Sequence, residues 1–329
     1  MENLREALQA AIAAGEAVRG TTSPNPPVGA AILDREGRLV GTGATEPAGG
    51  PHAEVMALRE AGDKAEGGTA VVTLEPCNHT GRTGPCSQAL VDAGIEFVYY
   101  CHPDPDRNAE GGAAHLRQQG VGVERIDRDV DTLRPWLAAV RNNRPHVTLK
   151  FAQTLDGFTA ALDGSSQWIT GDLARRHVHR DRGRRDAIIV GTGTAIADDP
   201  SLTARDGQME LPDQPRRVVI GGRSLTGHAR NLHRLGFEQY RGIPEALWQL
   251  WDTGARDVLV EGGAHLASGF VESGMVDAIQ AYIAPTLLGQ GRSVLSEALG
   301  LSLADAATFQ LQNITRLGDD VLLELTRKD

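Results

Sequence analysis

Short apolar runs separated by stretches of helical spacing recur along this chain in two series, and that alternation constrains its fold more than any other feature. In the first series the runs fall at 28–33 and 38–43, flanking Asp34-Arg35-Glu36-Gly37 as a hairpin would, and then at 69–74, 95–100 and 121–126. Leu4, Leu8, Ile12 and Val18 predict an amphipathic first helix, and the Pro24-Asn25-Pro26-Pro27 cluster forces a loop after it. Further helices are predicted from about His52, from Cys86 and over 110–119. Strands and helices in this order build an α/β layer sandwich.

Residues 127–145 interrupt the series. They carry mixed charge and end in Asn142-Asn143-Arg144-Pro145, the composition of a helix running into a linker. A second series follows, with runs at 147–151, 187–190, 217–220, 257–260 and 278–283, while 224–244 has no clear period. Two α/β domains are therefore expected, 1–145 and 146–329, in keeping with 329 residues at about 150 per domain.

Composition narrows the function classes. No apolar run approaches the ~18 residues of a membrane span, and Met1-Glu2-Asn3 lacks the basic start of a secretory signal. The expectation is a soluble, cytoplasmic protein with no membrane partner. A net charge of −10, acidic in both halves, disfavours a nucleic-acid partner, because gripping a phosphate backbone takes a basic footprint. One local exception is the crowd of Arg175, Arg176, Arg180, Arg182, Arg184 and Arg185, too short for a duplex but suited to a small phosphorylated ligand. Cys77, Cys86 and Cys101 are an odd number of cysteines without an export signal, so a disulfide framework is not expected.

Metal chemistry is the better reading of those cysteines. His52-Ala53-Glu54 opens a predicted helix, Pro76-Cys77 closes a strand and Pro85-Cys86 opens the next helix. One imidazole and two thiolates suit zinc, and three protein ligands leave a fourth position for water. Glu54, which is not a ligand, is placed to move protons. A lone His-x-Glu is common by chance, whereas two cysteines each directly after a proline are not. Buried apolar thiols and a closed structural zinc site are the competing readings.

This combination resembles the zinc-dependent nucleoside and base deaminases, with their usual Pro-Cys-x-x-Cys spacing stretched to the eight residues Asn78 to Pro85. The longer insert reads Leu-Glu-Pro-Cys-Asn-His-Thr-Gly-Arg-Thr-Gly-Pro-Cys over 74–86. With Ser23-Pro24-Asn25-Pro26, Val28-Gly29-Ala30 and Gly50-Pro51-His52-Ala53-Glu54-Val55, it is similar to the riboflavin-biosynthesis branch, whose bifunctional members join a diaminohydroxyphosphoribosylaminopyrimidine deaminase to a 5-amino-6-(5-phosphoribosylamino)uracil reductase. The resemblance covers nearly the whole chain. It implies a cytidine-deaminase-like three-layer α/β/α domain in which His52, Cys77 and Cys86 hold Zn2+, Glu54 shuttles the proton, and Asn25, His79 and Arg82 surround a phosphorylated pyrimidine. Two positions depart from the family: Thr45 stands where a substrate-contacting His is usual, and Met56 replaces a frequent His.

The second half has no further metal set. Gly191-Thr192-Gly193-Thr194-Ala195-Ile196 follows a strand, but Ile196 stands at the third glycine position of the dinucleotide fingerprint. Val260-Glu261-Gly262-Gly263-Ala264-His265 reads as strand, turn and helix start, where backbone amides could hold phosphate. Together with Lys150-Phe151-Ala152, Leu155-Asp156-Gly157, Ser166-Gln167-Trp168-Ile169-Thr170 and the run from Gly193 to Arg205, this resembles the same family's reductase half, which implies a dihydrofolate-reductase-like α/β fold and NADPH.

On that resemblance Ala152, Trp168, Thr194, Asp198, Gly222, Gly263, Ala264, His265, Leu266, Ala267, Ser268 and Gly269 would line the cofactor. Ser166, Arg182, Leu202, Arg205 and Glu261 would hold the ribose phosphate. Lys150 would be catalytic: only three lysines stand against thirty arginines, and a lysine inside an apolar strand is costly unless paired, with Asp198 and Glu261 as candidate partners. Here too the chain departs from the family. Gly221-Gly222 replaces an Asp-Ser or Asp-Thr pair, and the segment between Leu232 and Trp248 is short and expected to lack a strand. A bifunctional enzyme, as a homodimer, is the expectation; a monofunctional deaminase carrying a decayed reductase domain is the alternative.

Overall fold

The computed structural model describes residues 2–79, 84–106 and 109–328. They form two compact units, Met1–Asn143 and Arg144–Asp329. In the first, the chain runs α1 (Glu2–Ala17), β1 (Gly29–Leu33), β2 (Leu39–Ala44), α2 (Ala53–Ala61), β3 (Thr69–Leu74), α3 (Cys86–Asp92), β4 (Phe97–His102), α4 (Gly112–Gln118), β5 (Gly122–Arg125) and α5 (Arg134–Asn142). The sheet order is β2-β1-β3-β4-β5, antiparallel around β1 and parallel from β3 to β5.

Alternate residues of the strands face opposite layers, as the two-residue period of a strand requires. Ala30, Ile32 and Val72 join a core with Ala53, Ala57, Leu90 and Leu116 from α2, α3 and α4. Ala31, Leu33 and Val71 pack on Ala7 and Ala11 of α1. Helices thus cover both faces of the sheet. The expected first helix is present, but the face it buries completely is Ala7, Ala11 and Gly15, while Leu8 and Ile12 flank it. Small residues let α1 lie close on the sheet. Cys101 sits in the first core, and burial pushes its thiol up to about 11.

The second unit runs β6 (His146–Thr154), β7 (Phe158–Ala160), α6 (Asp172–Arg182), β8 (Ala187–Gly191), α7 (Thr192–Asp198), β9 (Arg205–Asp206), β10 (Met209–Glu210), β11 (Arg216–Ile220), α8 (Arg230–Leu235), β12 (Glu238–Tyr240), α9 (Ile243–Asp252), β13 (Asp257–Val260), α10 (Ala264–Glu272), β14 (Ala278–Ala284), β15 (Arg292–Ser293), β16 (Phe309–Leu317) and β17 (Asp320–Arg327). Its main sheet has the order β12-β11-β8-β13-β6-β14-β17-β16, parallel from β12 to β14 and antiparallel beyond. The segment expected to lack a strand does hold one, since β12 pairs with the outer side of β11. The hairpin of β16 and β17, turning at Gly318-Asp319, has no counterpart in the sequence reading.

Candidate active sites

The first site forms where three element junctions meet. His52 precedes α2, Cys77 follows β3, and Cys86 is the first residue of α3. Their ligand atoms lie within 4.8 Å of one another. His52 Nδ1 is 3.3 Å from Cys86 Sγ and 3.6 Å from Cys77 Sγ. A tetrahedral ion with Zn–N near 2.0 Å and Zn–S near 2.3 Å would hold such atoms ~3.5 Å apart, so the donor set fits zinc in kind and in spacing. Cys77 and Cys86 thus face the His52 imidazole as well as the apolar cluster they share with Ala109.

The chain around the cysteines is tightly held. The Cys86 backbone N–H donates to Cys77 Sγ at 3.4 Å, Ser87 N–H donates to Cys77 O, and Ser87 Oγ donates to Asn78 Oδ1. A Cβ on Gly112, the first residue of α4, would stand 1.7 Å from the Pro76 carbonyl oxygen, so glycine lets α4 close against the Pro76-Cys77 turn. The Cys86 thiol hydrogen-bonds Cys77 and draws the Cys77 thiol down to about 4. Such a sulfur is a ready metal ligand.

Glu54 lies in the first turn of α2 and is buried. Burial, reinforced by the Cys77 charge, pushes its carboxyl up to about 7. Asp104, just beyond β4, is a site neighbour that the sequence reading missed: it is buried, burial raises it to about 6, and its charge acts on His52. Of the predicted substrate contacts, Asn25 is half-buried in the loop after α1. His79 has a buried Nδ1 that meets no hydrogen-bond partner among the described residues. Arg82 lies outside the described residues. Thr45 is buried, and its hydroxyl accepts from Val28 N–H at 3.3 Å.

The second site is a cleft of about 1320 Å³ along the carboxyl ends of the parallel strands, the position where open α/β sheets take ligands. Lys150, Ala152, Ser166, Trp168, Arg182, Thr194, Asp198, Leu202, Glu261, Gly263, Ala264, His265, Leu266 and Ala267 all line it. Trp168 is 69% exposed, with the Arg175 guanidinium 4.6 Å from its ring centroid, so it is a wall and not core packing. Thr194 Oγ1 accepts from Gly263 N–H, joining the two glycine turns.

Lys150 lies on an interior strand, so its side chain does not escape along a sheet edge. Its Nζ is 3.7 Å from Glu261 Oε2, and burial pulls the ammonium below its usual value while Glu261 opposes that shift. Of the two candidate partners, Glu261 is therefore the one that pairs, and Asp198 lines the cleft without an ion pair to Lys150.

Other expected residues are engaged within the protein or lie outside the cleft lining. Arg182 donates to both oxygens of Glu261, at 2.7 and 2.9 Å, and its remaining terminal nitrogen faces Thr203 O and His179 Nδ1. It therefore stands in the cleft wall with its guanidinium ion-paired to Glu261. Arg205 donates to Thr203 Oγ1 and Glu210 and is not in the cleft wall. Ser268 accepts from the backbone N–H groups of Ser296 and Glu297, a Cβ on Gly269 would face Ile243, and neither residue is in the cleft lining. Gly222 is exposed and also outside the lining.

The arginine crowd is likewise mostly neutralised. Arg175 pairs with Asp172, Arg180 with Asp206, and buried Arg185 with Asp181 and Asp257. Residues of the cleft that the sequence reading missed include Tyr282, whose ring centroid is 5.7 Å from Lys150 Nζ, and Arg223 and Arg292.

Fold and sites together define a two-domain enzyme that joins a zinc deaminase to a reductase. Residues 1–102 match the cytidine and deoxycytidylate deaminase zinc-binding region, and residues 145–323 match the RibD C-terminal domain. The chain is 60% identical over 314 residues to the riboflavin biosynthesis protein RibD of Corynebacterium ammoniagenes, covering 93% of each. It is 45% identical to RibD of Mycobacterium tuberculosis, covering 100% of this chain and 98% of that one.

Among solved structures, Acinetobacter baumannii RibD superposes with a TM-score of 0.88 at 36% identity, covering 100% and 99% of the two chains. The Thermotoga maritima deaminase/reductase gives 0.87 at 28% identity, covering 99% of each. The chain belongs to the RibD family of riboflavin-biosynthesis enzymes; it carries a deaminase and a reductase and uses zinc and NADPH. A deaminase with a decayed second domain is not favoured. No helix among the described residues is long and apolar enough to cross a membrane.

Proposed function

We propose that the two reactions are divided between the two units. The first hydrolytically deaminates 2,5-diamino-6-ribosylamino-4(3H)-pyrimidinone 5′-phosphate to 5-amino-6-(5-phosphoribosylamino)uracil. The second reduces that product to 5-amino-6-(5-phosphoribitylamino)uracil. The observation that carries this reading is the convergence of His52, Cys77 and Cys86 beside the buried carboxyl of Glu54. When bound, zinc supplies a Lewis-acid centre that makes water nucleophilic at neutral pH, and NADPH supplies the hydride.

Around those groups the chain's own residues do the rest. Glu54 takes up the two protons of the attacking water in turn, passing one to the ring nitrogen and the next to the departing ammonia, a double role suited to a carboxyl that burial raises to about 7. Asn25, His79 and Arg82 orient the pyrimidine ribotide. In the second unit Lys150, held by Glu261, donates a hydrogen bond to the ring-opened ribosylamine and polarises the carbon that is reduced. Trp168, Thr194, Asp198 and the turn at Gly263 face the cofactor, and Ser166 and Leu202 face the ribose phosphate. A homodimer is the expected particle, supported by the exposed apolar side chains Leu301, Leu303, Leu311 and Ile314.

The test is to incubate the purified protein with the diaminopyrimidinone ribotide, with and without NADPH, and to resolve the products by mass spectrometry. Ammonia and the uracil ribosylamine should form without NADPH, and the ribitylamine only with it. Glu54→Gln should retain zinc yet release ammonia about 10²- to 10⁴-fold more slowly. Undiminished release would remove Glu54 from the mechanism.

A further inference from the structure

The turn after β11 presents a cation to the cleft. Arg223 lines the cleft, and its Nε donates to Thr192 Oγ1 at 3.2 Å. Among the described residues no carboxylate pairs with it, in contrast to Arg175 and Arg182 in the same wall, which are paired with Asp172 and Glu261. The backbone that carries it is anchored, since Gln239 Nε2 donates to Gly221 O at 2.8 Å and to Arg223 O at 2.9 Å.

The preceding glycine is part of the same device. Gly221 has φ 131, and a Cβ there would stand 2.7 Å from Thr192 Oγ1, the atom that holds the arginine. Glycine at 221 thus leaves room for Thr192, and Thr192 aims Arg223. A guanidinium pinned through Nε keeps its two terminal nitrogens for a planar, two-pronged grip on phosphate.

Its place along the sheet says which phosphate. From Lys150 on β6 the order is β13, β8, β11, three strand spacings or ~14 Å at about 4.8 Å each. A dinucleotide with its reactive ring beside Lys150 and Glu261 would be long enough for its adenosine half to reach Arg223 at the β11 end of the same cleft. NADPH differs from NADH only by a phosphate on the adenosine ribose, a group that a nearby arginine accommodates in Rossmann-type α/β folds.

We propose that Arg223, oriented by Thr192 across the Gly221 turn, holds the 2′-phosphate of NADPH and sets the preference for NADPH over NADH. The proposal rests on the second unit being an NADPH-dependent reductase.

The full-length protein is titrated with NADPH, NADH, 2′,5′-ADP and 5′-AMP, and binding is read by calorimetry without substrate. Wild type should favour NADPH over NADH and 2′,5′-ADP over 5′-AMP. Arg223→Gln should weaken NADPH and 2′,5′-ADP by about ten- to hundredfold, the range for a lost charged hydrogen bond, and leave NADH and 5′-AMP within about twofold. Arg223→Lys should fall between. Zinc content and the thermal midpoint, measured on each variant, confirm that it is folded.

An unchanged NADPH preference in Arg223→Gln overturns the proposal, and so does an equal loss of NADPH and NADH, which would put Arg223 on the diphosphate. Wild type that binds neither dinucleotide refutes the reductase reading itself and this proposal with it.

Discussion

Glu261 shows how a single buried group acquires its properties. Burial alone would raise its carboxyl, yet Arg182 through two hydrogen bonds and Lys150 at 3.7 Å outweigh that effect and hold it down at about 2. A carboxyl whose folded value lies below its ordinary 4.5 stabilises the fold above that pH, and the contribution disappears as pH falls toward 2. Thermal unfolding followed from pH 7 downward should therefore show an acid limb between about pH 4.5 and 2. Glu261→Gln should start on the order of 3 kcal/mol less stable at neutral pH and lack that part of the limb. An unaltered limb in the variant would show that the cluster does not govern acid stability. Lys150 was conspicuous in the sequence because the chain otherwise uses arginine. Its partner was not, because Glu261 stands 111 residues away and nothing local distinguishes it from Asp198.

Elements place these groups, and the contacts between elements are where small residues matter. Gly112 is remote in sequence from every zinc ligand, yet it is where α4 meets the Pro76 carbonyl. Gly112→Ala should push the Pro76-Cys77 turn outward, cost about 1–3 kcal/mol and lower zinc content although no ligand has changed. Metal analysis of the purified variant checks this, and full zinc occupancy would refute it. The β strands of both interiors were legible as unbroken apolar runs. The C-terminal hairpin was not: β16 is mostly exposed, and the register shift between Leu311 and Asn313 breaks the two-residue alternation that marks a strand. The three-residue β12 is too short to show a period at all.

At the scale of the molecule, two chemistries occupy separate compact units, each with its own core. Removing zinc with a chelator should abolish ammonia release, while NADPH oxidation continues when the uracil ribosylamine is supplied directly. Absorbance of NADPH follows the second reaction, and a parallel loss of both would contradict the division.

The zinc triad and the two-domain layout could be read from the chain because their signals are local: ligand types beside element junctions, and apolar runs of regular spacing. Whether a charge is available to a ligand could not. Arg175, Arg180, Arg182 and Arg185 read as an anion patch, but Asp172, Asp206, Glu261, Asp181 and Asp257 neutralise them, most from distant segments. Arg223, unremarkable in sequence, is a cleft cation with no carboxylate pairing among the described residues. A residue's type fixes its charge, whereas only the folded chain decides which opposite charges come within a few ångströms of it, and interaction energy falls with that distance.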